Sequence, residues 1–274
     1  MKIRRGLGRI AVLAGLVPAL GGCVIDVADV CLDGDSCGGR AEASAYFSYS
    51  VPALYRATLT LVGANGSVQI RVEAELQDVI IQGTRRVRAD SRAEAESYLH
   101  QVRVDVAEDD DGVVVKTEQP EESGGRTYQV DYEIAIPPWM AVRVTNGNGT
   151  VKIQNVRQDV DVENGNGDVV LDGHQGSSRI SLGNGEIRGT MVLPPGAHLI
   201  HSVGNGGIQI TIQRNLSAEF HAQVGIGTLD VTGLDFTSWT SGPGFAEGLL
   251  GVGEGLMSLS VGTGWIQIQG VSGT

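Results

Sequence analysis

Gly-x-Gly returns through the second half of this chain at intervals too regular for ordinary loops. It falls at Gly147/Gly149, Gly165/Gly167, Gly183/Gly185, Gly204/Gly206, Gly225/Gly227 and Gly262/Gly264, in steps of 18, 18, 21, 21 and 37 residues. Alternating apolar residues flank each copy, such as Val151 and Ile153 after the first and Val160 and Val162 before the second. The unit is therefore a short strand, a glycine corner and a second short strand. One unit cannot bury its own apolar edge, whereas copies stacked at about 4.8 Å share a continuous core. The middle residue is Asn148, Asn166, Asn184 and Asn205 in the first four copies, and stacked asparagines can hydrogen-bond to one another in a ladder. A meander of Asn-Gly hairpins would put alternate turns at opposite ends and forbid such a ladder. Residues 139–274 are accordingly expected to form a single-chain β-solenoid, with an antiparallel sandwich or meander as the alternative.

Residues 44–138 read as a small β-rich region that caps the stack. Strand alternation is visible at Tyr46–Val51, Ala57–Val62, Val68–Val72, Val79–Ile81, Val102–Val106, Val113–Thr117 and Tyr128–Ile136, with a tight turn at Asn65-Gly66. One helix is expected over Ser91–Gln101, where Ser91 can cap and Ala93, Glu94 and Ala95 favour helix. Forty glycines and only 5% aromatic residues favour this all-β reading, because glycine serves corners and weakens helices.

The N-terminus has a different logic. Lys2, Arg4, Arg5 and Arg9 precede an apolar run from Ile10 to Leu20 and small residues before Cys23. This pattern predicts an export signal over residues 1–22, too short for a comfortable membrane span. Leu20-Gly21-Gly22-Cys23 resembles the lipobox of bacterial lipoproteins, which implies cleavage before Cys23, acylation of that residue and anchoring in a membrane. Val24 rather than Asp after the Cys resembles outer-membrane lipoproteins of Gram-negative bacteria. Residues 23–43 read as a lipidated tether, and Cys31 and Cys37 within it are expected to close a small disulfide loop in an oxidising compartment. Removing the signal takes four of the twenty basic residues and none of the thirty-two acidic ones, leaving a formal charge of −16. Nucleic acid is thereby a poor partner.

Several segments together resemble a known family. They are Ala-Asn-Gly-Ser-Val-Gln-Ile at 64–70, Ser-Arg-Ala-Glu-Ala at 91–95, the strand Tyr-x-Val-x-Tyr-x-Ile-x-Ile-Pro at 128–137, and the Asn-Gly-x-Gly corners that follow. Their order is similar to that in the bacterial β-strand repeat proteins known as putative adhesins, a family of unknown function. The likeness spans roughly residues 44–274. It implies a β-solenoid and an envelope location, and it supplies no catalytic residue.

No constellation of reactive residues competes with that reading. Asp161, Glu163, Asp168 and Asp172 are close in sequence, but alternation makes the first two solvent-facing partners of Val160 and Val162. His198 and His201, three apart on one strand, point to opposite faces and make no metal site. The string Gly251-Val-Gly253-Glu-Gly255 lacks the Lys and Ser/Thr of a phosphate loop. No metal, cofactor or enzymatic activity is expected. Leu234–Gly255 interrupts the rhythm and brings Phe236, Trp239 and Phe245 into a Gly- and Ser-rich loop. Those rings either plug the end of the stack or offer a surface for glycan or protein, and the plug is favoured. The expected function is a membrane-anchored envelope lipoprotein with a non-catalytic adhesin-like module for surface interaction or scaffolding. The alternative is an envelope sensor or ligand-binding lipoprotein recognising cationic peptides or glycans.

Overall fold

A computed structural model describes residues 40–53, 57–109 and 111–272. Cys23, Cys31 and Cys37 lie outside the described residues, as do the signal segment and most of the expected tether. The chain from Arg40 onward forms one compact unit. Its strands make an all-β fold, a single curled half-barrel sheet accompanied by one helix.

The first half alternates as its sequence does. Strands β1 (Ala41–Pro52), β2 (Thr58–Val62), β3 (Val68–Val72) and β4 (Asp78–Ala89) lead to helix α1 (Arg92–Leu99). Ser91 caps that helix, its side chain accepting from the Glu94 amide at 3.2 Å, and Ala95 is the helix residue driven fully into the core. Then follow β5 (Arg103–Glu108), β6 (Gly112–Glu118) and β7 (Thr127–Ile136). The repeat supplies β8 (Ala141–Asn148), β9 (Val151–Gln154), β10 (Val160–Asn166), β11 (Val169–Gln175), β12 (Ser178–Val192) and β13 (His198–Gln213). The end is built from β14 (Ala218–Thr232), β15 (Phe236–Gly242), β16 (Phe245–Leu250) and β17 (Gly255–Val271).

These strands lie on two faces that meet along the glycine corner. On the first face β2, β8, β10, β12 and β13 pair in parallel, residue on residue: Val142 with Val160, Val160 with Ser178, Ser178 with Leu199. On the second face β7, β3, β9, β11 and the later half of β12 do the same. The long strands β12, β13, β14 and β17 run through the corner and serve both faces. Between the faces lies one core in which Val144, Ile153, Val162, Leu171, Leu182 and Ile208 are all essentially inaccessible. Because inward residues alternate and the parallel register keeps its parity, apart from a one-residue shift between Asp172 and His174, each coil adds the same apolar row to that core.

Three expectations are corrected. Asn65-Gly66, expected as an isolated tight turn, is the first corner of the stack, since Asn65 bridges to Asn148 and β2 and β3 pair with β8 and β9. The same pairings join β2 and β3, before residue 138, to β8 and β9, after it. The coils do not stack in chain order either. β17 pairs in parallel with β13 on one side and with β14 on the other, so the last strand of the chain is inserted before the penultimate coil. Equal steps in sequence had implied that Gly225/Gly227 sits on Gly204/Gly206. In space Gly262/Gly264 takes that place. Finally, Leu234–Gly255 is no loop: β15 and β16 form an antiparallel hairpin that extends the first face beyond β14.

Candidate functional site

The corner explains why glycine is needed twice in each unit, for two different reasons. At the first glycine a Cβ would drive into a carbonyl of the coil beneath, as Gly165 shows over Gly147 and Gly183 over Gly165; at Gly204 the approach to the Gly183 oxygen would be 2.6 Å. At the second glycine the backbone itself is left-handed, with φ of +130°, +114°, +136° and +139° at Gly149, Gly167, Gly185 and Gly206. Ala64 occupies the first position of the initial corner. That departure takes the corner out of the Gly-x-Gly series, although Leu59, Leu61, Val68 and Ile70 flank it with the right alternation.

Between the glycines runs a chain of side-chain amides. Asn148 donates to Asn65 at 2.6 Å, Asn166 to Asn148 at 2.7 Å, Asn184 to Asn166 at 2.8 Å and Asn205 to Asn184 at 3.0 Å. The ladder is exposed to solvent and ends where the next coil in space presents Thr263. The other asparagine of each Asn-Gly-Asn-Gly motif does something else. Asn146 and Asn164 are buried under the corner; Asn146 donates to the Asn164 side chain at 3.2 Å, and Asn164 to the Gly149 carbonyl at 3.0 Å. Inward parity from Val142 and Val144 was the available signal for this buried pair.

The aromatic end divides by face. Phe236 and Trp239 lie on the core side of the hairpin, their ring centres 4.4 Å apart, and Phe236 meets the buried Phe220 edge-on at 5.3 Å. Phe245 is paired opposite Gly242 and Gln223 on the outward side, with its ring over the Gly242 backbone. The three rings thus do not form one surface. Beside them the corner residue Ile226 is 72% exposed.

The carboxylates do not converge. Asp161 and Glu163 point outward from the first face, whereas Asp168 and Asp172 belong to the second, where Asp168 holds Arg188 at 2.9 Å and Asp172 accepts from Gln154 at 3.3 Å. Among the described residues no three His, Cys, Asp or Glu are placed to hold a metal ion.

The histidines separate as alternation requires: His198 is exposed, and His201 is buried. His201 Nε2 meets the Ser178 hydroxyl at 2.9 Å, while its Nδ1 is buried without a partner among the described residues. Burial, aided by nearby His174, pushes the His201 imidazole down to about 3. His174 lies against two carbonyls, Val156 at 3.0 Å and Ser177 at 3.2 Å, and its pKa is also lowered by burial. A neutral ring can donate to only one of those oxygens.

On the outward side of the first face, a groove of about 440 Å³ runs between Thr58 and His198, flanked by Arg143, Asp161 and Arg179. Past Thr58 and Arg143 it meets a hollow of about 340 Å³ beside Gly112.

A solved structure shares this fold. A "putative cell adhesion protein" from Clostridium sporogenes superimposes over 84% of this chain and 100% of its own with a TM-score of 0.50 at 12% identity. A "putative adhesin" from Bacteroides fragilis covers 82% of this chain and 97% of its own, at 11% identity and a TM-score of 0.29. No family model and no curated protein matches the sequence.

Proposed function

We propose that this chain is a membrane-anchored cell-envelope lipoprotein whose stacked strands form a non-catalytic, adhesin-like β-solenoid. Acylation at Cys23 holds the protein on the outer membrane, and the folded module stands off that membrane to engage an envelope or surface partner. One observation carries the adhesive part: the fold likeness to the C. sporogenes protein, which spans most of this chain and all of that one. The dispersal of the four tempting carboxylates over two outward faces supports a binding rather than a hydrolytic role, because glycoside cleavage needs two carboxyl groups converging on one bond.

The test uses the full-length chain in a Gram-negative host. Wild type should incorporate an alkyne-tagged palmitate and fractionate with the outer membrane, and Cys23→Ser should lose both. Persistence of labelling in the variant defeats the anchoring half of the reading. Cells displaying residues 40–274 should adhere to glycan- or matrix-coated surfaces more than cells lacking the module, and equal adhesion defeats the other half.

A further inference from the structure

The two ends of the stack treat their strand edges differently. At the N-terminal end the edge strand β5 carries Arg103, Asp105 and Glu108, and α1 packs against β1 and β4. Edge charges and a covering helix are ordinary protections against joining other strands. The C-terminal end has neither. The edge strand β15 carries no charged residue, and residues 227–232 of β14 pair only with β17 among the described residues. The two faces also stop at different heights: the β15–β16 hairpin carries the first face two strands past β14, about 9.6 Å, while the second face ends at β14. Side chains turned inward at this step lack an opposite wall. Leu229 occupies the column of Ile208 and Ile266, both inaccessible, yet is itself only half-buried, and Trp239 on the core side of the hairpin is 43% exposed.

We propose that a second copy of this chain closes the step, in a two-fold dimer joined end to end. A two-fold axis through the corner, perpendicular to the stacking direction, exchanges the two faces and reverses the stack, so the long face of each copy meets the short face of the other. A step two strands high thus receives a hairpin two strands wide. Strand direction agrees as well. Two antiparallel pairings separate β15 from β14, so β15 runs toward the corner, whereas residues 227–232 run away from it. The two edges therefore meet antiparallel, with their unpaired backbone groups facing one another. The register that keeps the corners level and the inward side chains together sets Trp239 opposite Val231, Thr240 opposite Asp230 and Ser238 opposite Thr232 of the second copy. Phe236 and Trp239 of one copy then lie across the core from the same rings of the other. A foreign strand would satisfy one of the two open edges, whereas a second copy satisfies both by one operation. Being isologous, the contact closes at two copies, unlike an unmatched edge, which takes strands without limit. The joint leaves the two Arg40 ends at opposite extremes of the pair. For chains anchored at Cys23 to separate surfaces, that geometry links like to like, a step that rests on the adhesive reading and names its partner.

Sedimentation equilibrium of the full chain is the direct test, in density-matched detergent and with reductant to keep Cys31 and Cys37 from linking copies. The wild type should be dimeric at micromolar concentration. Thr240→Lys sets an ammonium against Asp230 of the second copy, twice by symmetry, and should tighten the dimer about fivefold. Made on top of Asp230→Lys, the same substitution sets ammonium against ammonium and should weaken the dimer about fivefold relative to Asp230→Lys alone. Thr240 and Asp230 lie on different faces of one copy, so this reversal of sign arises only across the joint. Both residues are exposed, and unchanged melting certifies the fold of each variant. A wild type that stays monomeric at about 100 µM, assembly beyond two copies, or the same effect of Thr240→Lys in both backgrounds overturns the proposal. Cells displaying the anchored chain should clump with one another. Absence of clumping with an intact dimer in solution defeats the adhesive reading and leaves the joint standing, whereas absence of the dimer defeats the joint itself.

Discussion

The middle of the stack and its C-terminal end obey different rules. From Val142 to Ile212 each coil rests on the one before it, with Asn over Asn and Gly over Gly at the corner. From Ala218 onward that order breaks. The last strand slides in between β13 and β14, the amide ladder gives way to Thr263 and Ile226, and an antiparallel hairpin extends the first face. Repetition specifies how a coil adds to its neighbour and contains no instruction for stopping. Termination has to come from residues that do not repeat, here Phe220, Phe236 and Trp239.

The largest expected effect tests the inserted strand. Ending the chain at Gly253 removes β17, which in a sequential stack would shorten the protein by one coil and leave a slightly lower melting point. Here it should leave β14 without its parallel neighbour, and the truncated chain should show no cooperative thermal transition by circular dichroism. A cooperative melt would mean that β14 can rest on β13 directly.

Next comes the regular corner. Gly167→Val places a branched side chain at φ +114° and into the Gly149 carbonyl. It should cost about 3 kcal/mol in urea unfolding. Gly196→Ala, also left-handed at φ +76° but with nothing within 4 Å of its Cβ, should cost about 1 kcal/mol. Equal losses would show that backbone angle alone, and not the approach of the coil below, demands glycine.

Acid should separate the regions as well, because the buried imidazoles lie in the middle of the stack. His201 is neutral in the fold, with a pKa near 3, while an unfolded chain takes up its proton near 6.5. Stability is therefore intact above about pH 6.5 and is lost as pH falls toward 3, by roughly 3 kcal/mol at pH 4. His201→Gln should flatten that slope between pH 7 and 4, and an unchanged slope would acquit this residue.

The smallest effect divides the aromatic hairpin. Trp239→Ala removes a half-exposed ring from the core side and should cost about 2 kcal/mol with increased self-association by light scattering. Phe245→Ala, on the outward side, should cost about 0.5 kcal/mol. The reverse ranking would mean that the end is closed by the outer ring instead.

The sequence carried the strands and the corner well because both follow from local rules. Alternation at Val151, Ile153, Val160 and Val162 says which residues turn inward, and the glycine pairs say where the backbone bends. The first corner was hidden by Ala64, which has no coil beneath it in the row and so has no need of glycine. Coil order was illegible for a deeper reason. Gly225/Gly227 and Gly262/Gly264 carry the same local pattern, and nothing in either says which lies closer to Gly204/Gly206. The groove was equally hidden: Arg143, Asp161 and Arg179 lie eighteen residues apart, and only the parallel register brings them side by side.

The inserted strand also bears on how such a chain can be made. Synthesis delivers β14 well before β17, yet β17 is the strand that joins β14 to the rest. A nascent chain halted at residue 250 carries two unmatched strand edges, those of β13 and β14, with no partner yet in existence. Folding in step with elongation would thus expose those edges to neighbouring chains, whereas release of the whole polypeptide before folding would not. The topology favours a folding order in which the sheet closes only once β17 has arrived.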